Sequence, residues 1–292
     1  MQALQQAEWT VMAKRHEARL APTLLAHRQR QKHGIKHPIC DFLFTYYSFP
    51  VRSLVFWQPG YGITLCGDDE GVFTHEPFYT LDQNGIRLDI TRFPPHRIDS
   101  LKWVISLLQQ TQKRPPRYSC LGLHEWAMVY KSGTVRHANL PLRMQEKELS
   151  SFVESQNINC THYDAFRFFT EKAKPLNIFQ PIKEAQQKLE QPGCVHANMD
   201  IYKWAYKFHP WVGSDLIADA FLLAEKARTL DMRASPYDCT SLGVTPITIE
   251  TPSGKAIYIE EQRAIAEKAA LIREELLNHL IRLKTAITKD GN

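Results

Sequence analysis

What the sequence lacks narrows its class first. No apolar run approaches the roughly 18 residues of a membrane-crossing helix, and the mean hydropathy is −0.36, so no membrane partner is expected. The opening residues, Met1-Gln-Ala-Leu-Gln-Gln-Ala-Glu8, contain neither an apolar core nor a small-residue cleavage site, which argues against a secretory signal. The six cysteines, Cys40, Cys66, Cys120, Cys160, Cys194 and Cys239, include no Cys-x-x-Cys pair. They read as reduced thiols rather than a disulfide framework, and the expected compartment is the cytoplasm. Dinucleotide and P-loop glycine motifs, the Gly-x-Ser-x-Gly elbow and the kinase signature set are all missing. Nucleotide cradling and serine hydrolysis therefore have no support, and no cofactor is expected.

What is present fits an ordinary globular protein. The chain has 292 residues, 43% hydrophobic and 23% charged, a composition that excludes a disordered or fibrous chain and supplies ample core. Its net charge of +5 is concentrated at one end: residues 1–37 hold seven Lys and Arg against two acids, and the remainder balances. His16, His27, His33 and His37 lie in the same stretch. Good helix formers, with apolar residues at Trp9, Met12, Leu20, Leu24 and Leu25, predict one long helix here, with Pro22 as a point of kinking. The cations Arg28, Arg30, Lys32 and Lys36 would suit a phosphate backbone or an acidic partner. The alternative is a solvated helix face.

Neither repeats nor low-complexity linkers are visible, so the expected organisation is a basic helical arm over 1–36 and a single globular domain over 37–292. Residues 61–66 and 72–90 carry β-like content around Asp82-Gln-Asn-Gly85. Helical spacing is expected over 97–113, 144–155, 182–191, 196–208, 215–230 and 260–288. Ile247-Thr-Ile-Glu250, Thr251-Pro-Ser-Gly254 and Ala256-Ile-Tyr-Ile259 read as a β-hairpin near 247–259. The fold class is mainly α (α+β), a compact helical domain with small β-elements.

The segment with most chemistry is Cys194-Val-His-Ala-Asn-Met-Asp200-Ile-Tyr-Lys-Trp204. On a helix, His196, Asp200 and Trp204 share one face. An imidazole and a carboxylate one turn apart can act as an acid–base pair or ligate one metal. The alternative is that Asp200 pairs with Lys203 or Lys207 on a surface. Cys160-Thr-His162 and Cys194-Val-His196 together offer two thiols and two imidazoles, a tetrahedral zinc set, though tighter in spacing than structural zinc sites. His124-Glu125-Trp126 lacks the second His of a zincin, because position 128 is Met. Glu125 is then either a buried acid of raised pKa or the ion-pair partner of Arg136 or Arg143. Asp231 and Arg233 lie on a stretch ending in Ser235-Pro236-Tyr237-Asp238, as a functional loop or a structural clamp.

Several long strings carry a family resemblance: His37-Pro-Ile-Cys-Asp-Phe-Leu-Phe-Thr-Tyr-Tyr-Ser-Phe49, Leu123-His-Glu-Trp-Ala-Met-Val-Tyr130, Cys160-Thr-His-Tyr-Asp-Ala-Phe-Arg-Phe-Phe-Thr170, Glu190 through Trp204, and Leu230-Asp-Met-Arg-Ala-Ser-Pro-Tyr-Asp238. From about residue 34 to the last helix, the chain resembles a bacterial family commonly named 3-methyladenine DNA glycosylase. The resemblance implies hydrolysis of the N-glycosidic bond of an alkylated purine, with the base extruded and stacked on aromatics and a carboxylate assisting cleavage. It would give the carboxylate role to Asp200, Glu125 or Asp231, with His196 beside them. Tyr46, Tyr47, Trp57 and Trp204 would stack the base, with His162 and Arg233 also at the substrate; the partner would be DNA or another nucleobase-containing substrate. The run 42–49 would otherwise be core. Two further readings stand beside it: an enzyme of another class, with a metal-capable His/Cys/Asp pocket on His162, His196 and Asp200 for a small molecule, and a non-catalytic nucleic-acid-binding protein.

Overall fold

The computed structural model describes residues 2–68, 71–133 and 139–290. Eleven α-helices and one four-stranded sheet are found among them, a mainly α fold. The chain forms two compact units, one of residues 1–106, 201–222 and 272–292, the other of residues 107–200 and 223–271. No helix among the described residues is long and apolar enough to cross a membrane.

In the first unit, strand β1 (Gln2–Leu4) leads into helix α1 (Gln6–Lys32). The Gln5 amide donates to Glu8 Oε2 at 2.7 Å, meeting one of the donors that a helix start leaves open. α1 runs unbroken through Pro22. The proline is exposed, so its missing N–H falls on the side where water compensates. Trp9, His16, Leu20, Leu24 and His27 form the buried face, so α1 packs into this unit by that face, while residues 31–36 are exposed. His16 bonds the Leu54 carbonyl at 2.8 Å, Arg19 pairs with Asp219, and Asp41 takes both His27 Nδ1 and Arg30 Nη2 at 2.7 Å.

The aromatic segment forms α2 (Phe42–Tyr46) and is followed by α3 (Val51–Val55). Strands β2 (Ile63–Leu65), β3 (Tyr79–Asp82) and β4 (Gly85–Leu88) complete a sheet of order β1-β2-β4-β3. β1 and β2 are parallel, and β3 and β4 pair antiparallel across the turn signalled at Asp82-Gln-Asn-Gly85.

The remaining helices are α4 (Ile98–Lys113), α5 (Leu123–Val129), α6 (Glu146–Ser155), α7 (Tyr163–Phe166), α8 (Gln186–Leu189), α9 (Val195–Tyr206), α10 (Ser214–Arg233) and α11 (Pro252–Asp290); all but the short α5 and α7 were expected, with adjusted ends. The hairpin at 247–259 does not form, and its second half is the first two turns of α11. Thr251-Pro252 is a helix start: Thr251 Oγ1 accepts the Gly254 amide at 3.0 Å, and proline takes the first helical position, where no N–H is needed. A Cβ at Gly254 would lie 1.9 Å from the Thr248 carbonyl oxygen, so glycine is required for this tight entry rather than for a strand turn.

Several histidines of the first unit are held neutral. Burial first, and the Arg97 charge second, hold His209 down at about 4 against an ordinary 6.5. Burial is also the main cause of the lowered values of His16 and His279. As pH falls the unfolded chain takes up these protons first, so their contribution to stability is complete above about pH 6.5 and is lost toward pH 4. For His209 alone the loss is about 3 kcal/mol. Urea unfolding between pH 7 and 4 should show this decline, and His209→Gln should flatten it. An unchanged slope in the variant would remove His209 as the cause.

Candidate metal centre

Five segments of the second unit bring their ionisable side chains into one buried cluster. α5 begins after Leu121 and Gly122, both left-handed with φ of 52° and 69°. A Cβ on Gly122 would meet Ala234 Cβ at 3.3 Å, so the turn that launches α5 needs glycine twice over. α5 presents His124 and Glu125, and Trp126 anchors it by donating to the Ala234 carbonyl at 2.8 Å. Arg228 and Asp231, one turn apart on α10, complete this side: Arg228 Nη1 lies 2.8 Å from Glu125 Oε1 and 3.0 Å from Asp231 Oδ2.

Opposite these groups, the loop ahead of α7 holds His162. Asn177 fixes that loop by accepting the Cys160 amide at 2.7 Å and donating to the Cys160 carbonyl at 2.9 Å. Glu190 closes α8, oriented by a hydrogen bond from Gln186, while Arg114 donates to its backbone carbonyl at 2.8 Å. α9 then carries His196 and Asp200 on one face, as their spacing predicts.

Two groups of potential ligands result: His124, His196 and Asp231, and His162, Glu190 and Asp200. Within each, one ligand atom per residue lies within 4.8 Å of the others. His124 Nε2 is 2.6 Å from Asp231 Oδ1, yet neither atom has a hydrogen-bond partner. His162 Nε2 is 3.4 Å from Asp200 Oδ2 and 3.5 Å from Glu190 Oε1, and again neither ring nitrogen of His162 is hydrogen-bonded. The His196 ring lies edge-on to His124 at 4.3 Å and 5.4 Å from His162, so it adjoins both groups.

The electrostatics are those of a crowded, dry site. Burial disfavours a charged His124, but Asp231 outweighs burial and lifts it to about 10. Burial likewise opposes ionised Asp231, and the His124 charge holds its carboxyl well below the usual range. Burial, followed by the His124 charge, drives His196 far down. His162 rises against its burial because of Asp200 and Glu190. A hydrogen bond to Cys160 and burial push the Cys120 thiol up, and burial does the same to Cys194.

Of the sequence candidates, Asp200, Glu125, Asp231, His196 and His162 are thus gathered in this cluster. Asp200 faces His162, and Glu125 is paired with Arg228, while Arg143 is paired with Glu250; Arg136 lies outside the described residues. The imidazoles of the Cys160/His162/Cys194/His196 set fall in different groups, and its thiols in neither. Arg233, also in this unit, holds Glu261 at 2.6 Å and the Thr245 carbonyl at 3.1 Å, a clamp on the turn. His124, Glu190 and Arg228 were not among the chosen residues. Arg228 had a signal in its place one turn before Asp231, and His124 in its place beside Glu125.

The remaining candidates belong to the first unit. Tyr46 stacks on Phe42 at 5.0 Å, Tyr47 meets Tyr202 edge-on at 5.6 Å, and Trp204 lies against Trp103 at 5.4 Å. Lys32 and Lys36 are exposed, whereas Arg30 is engaged by Asp41. Trp57 and Arg28 line a cavity of about 530 Å³ with Lys14 and Arg52.

No protein-family model matches the chain, and neither the curated proteins nor the solved structures yield a match.

Arg228 is the one arginine or lysine buried with the acids among the described residues of this unit. Removing one partner of a buried ion pair strands the other charges. Arg228→Leu should therefore cost about 3–5 kcal/mol in urea unfolding, and a loss below about 1 kcal/mol would show that the guanidinium does not hold Glu125 and Asp231.

Proposed function

We propose that the second unit is a metal-dependent hydrolytic centre in which His124, His196 and Asp231 bind a divalent first-row ion. The observation that carries this is the grouping of His124, His196 and Asp231, each of which offers one ligand atom within 4.8 Å of the others in a largely buried site. Arg228 holds Asp231 by Oδ2, which leaves Oδ1 for the ion; outer contacts of this kind orient the ligands of metal sites. Three protein ligands would leave a position for water, and a bound ion would lower that water's pKa and so supply hydroxide in a dry site.

The resemblance supports an N-glycosidic bond of an alkylated purine as the substrate bond. Hydroxide would form the new C1′–O bond while the C1′–N pair departs with the base. An alkylated purine is cationic, so it leaves neutral and needs little further help. The carboxylates Asp200 and Glu125 would stabilise the positive charge developing on the sugar.

Base release from methylated duplex DNA tests both parts. Wild-type protein should release 3-methyladenine, lose the activity on dialysis against dipicolinate and regain it with Mn²⁺ or Zn²⁺. His124→Ala should reduce release by more than about 100-fold, beyond the loss typical of an outer-shell residue. Release that survives complete metal removal would overturn the metal role. No release by the metal-loaded protein would overturn the substrate.

A further inference from the structure

We infer that His162, Glu190 and Asp200 bind a second divalent ion next to the first, making the centre dinuclear. This rests on the first ion proposed above. The three side chains come from separate segments and are buried, with relative exposures of 1%, 2% and 2%. Atoms bound to one ion at about 2.0–2.1 Å stand roughly 2.9–3.4 Å apart, the edge of a tetrahedron or octahedron. The 3.4 and 3.5 Å separations from His162 Nε2 to Asp200 and Glu190 fit such edges. A structural histidine at that depth would donate to one of the two carboxylates, but Nε2 and Nδ1 of His162 have no hydrogen-bond partner. α9 joins the groups, since His196 belongs to one and Asp200, one turn later, to the other.

Charge points the same way. The buried acids of this unit are Glu125, Glu190, Asp200 and Asp231, and Arg228 is the one buried arginine or lysine among the described residues of the same unit. One divalent ion leaves this set negative. Two ions sharing a hydroxide bring it to neutrality, which a low-dielectric interior favours. One nitrogen and two carboxylates form a hard donor set, suited to Mn²⁺ or Fe²⁺.

The full-length chain, stripped of metal and dialysed against Mn²⁺, should hold about two ions when metal is counted by mass spectrometry. Its paramagnetic resonance spectrum should show coupling between them. Glu190→Gln and Asp200→Asn should each bring the count to about one and restore the uncoupled six-line signal of a lone Mn²⁺. One ion in the wild-type chain would overturn the second site while leaving the first. No ion would overturn both. Two ions retained in a folded Glu190→Gln, Asp200→Asn double variant would move the second ion away from these residues. If the variants do not fold, the wild-type count and spectrum decide.

Discussion

Four buried carboxylates with one buried guanidinium to offset them are the constraint on which the second unit depends. Each buried ion loses several kcal/mol of hydration, and Arg228 cannot offset four of them. Without metal the cluster obtains the missing charge from protons: Asp231 lifts His124 to about 10, so that imidazole is charged at neutral pH. A metal ion would take over this role, because a ligating histidine must give up its proton. Protonated and metal-loaded clusters are therefore two solutions to one electrostatic problem, and binding couples ion uptake to proton release. The turn that starts α5 and the Asn177 clamp on the loop before α7 hold the donors in place in either state.

The first unit puts similar residue types to another use. Its basic helix looks like a phosphate-binding arm in one dimension, but half of its pattern is explained by packing. His16 and His27 are buried, Arg19 meets Asp219, and Arg30 is shared with His27 on Asp41. The aromatic run is likewise largely internal, since Phe44 packs on Phe221 and Phe49 stacks on Tyr206 at 4.0 Å. Charge runs and aromatic runs mark surfaces that find partners, and here many of the partners lie in the same unit. Of the cations left outward on this helix, Lys14 and Arg28 line the Trp57 cavity.

What could be read from sequence follows the range of the interactions. His196 and Asp200 were legible because helical periodicity alone sets them on one face. The β3–β4 turn was legible because Asp82-Gln-Asn-Gly85 encodes it locally. The partners that complete the site were not: Glu190, Arg228 and His124 reach it from segments whose proximity is decided by tertiary packing. Local signals also misled at Thr251-Pro-Ser-Gly254. That string serves as a hairpin turn or as a helix cap, and the isoleucines at 257 and 259 fit either period over so short a span. The helix that runs from Pro252 to Asp290, 39 residues in all, settles the choice, since a cap followed by a long helix outweighs two short strands.

The thiols near the cluster sharpen the chemistry of the proposed ions. Cys120 lies 4.0 Å from His124 Nδ1, and the Cys160 thiol donates to the His162 carbonyl oxygen at 3.6 Å. Thiolates would make this a zinc site of the kind that paired Cys-x-His spacings suggest. But burial raises the Cys120 and Cys194 thiols, and a cluster already rich in carboxylates resists further negative charge. The thiols therefore stay neutral and act as small apolar packing groups. Ions at this centre would meet imidazoles and carboxylates instead, a donor set that favours hard, labile divalent metals over the thiolate-bound zinc of structural sites. Ligands of this kind would keep such ions exchangeable and leave coordination positions for water.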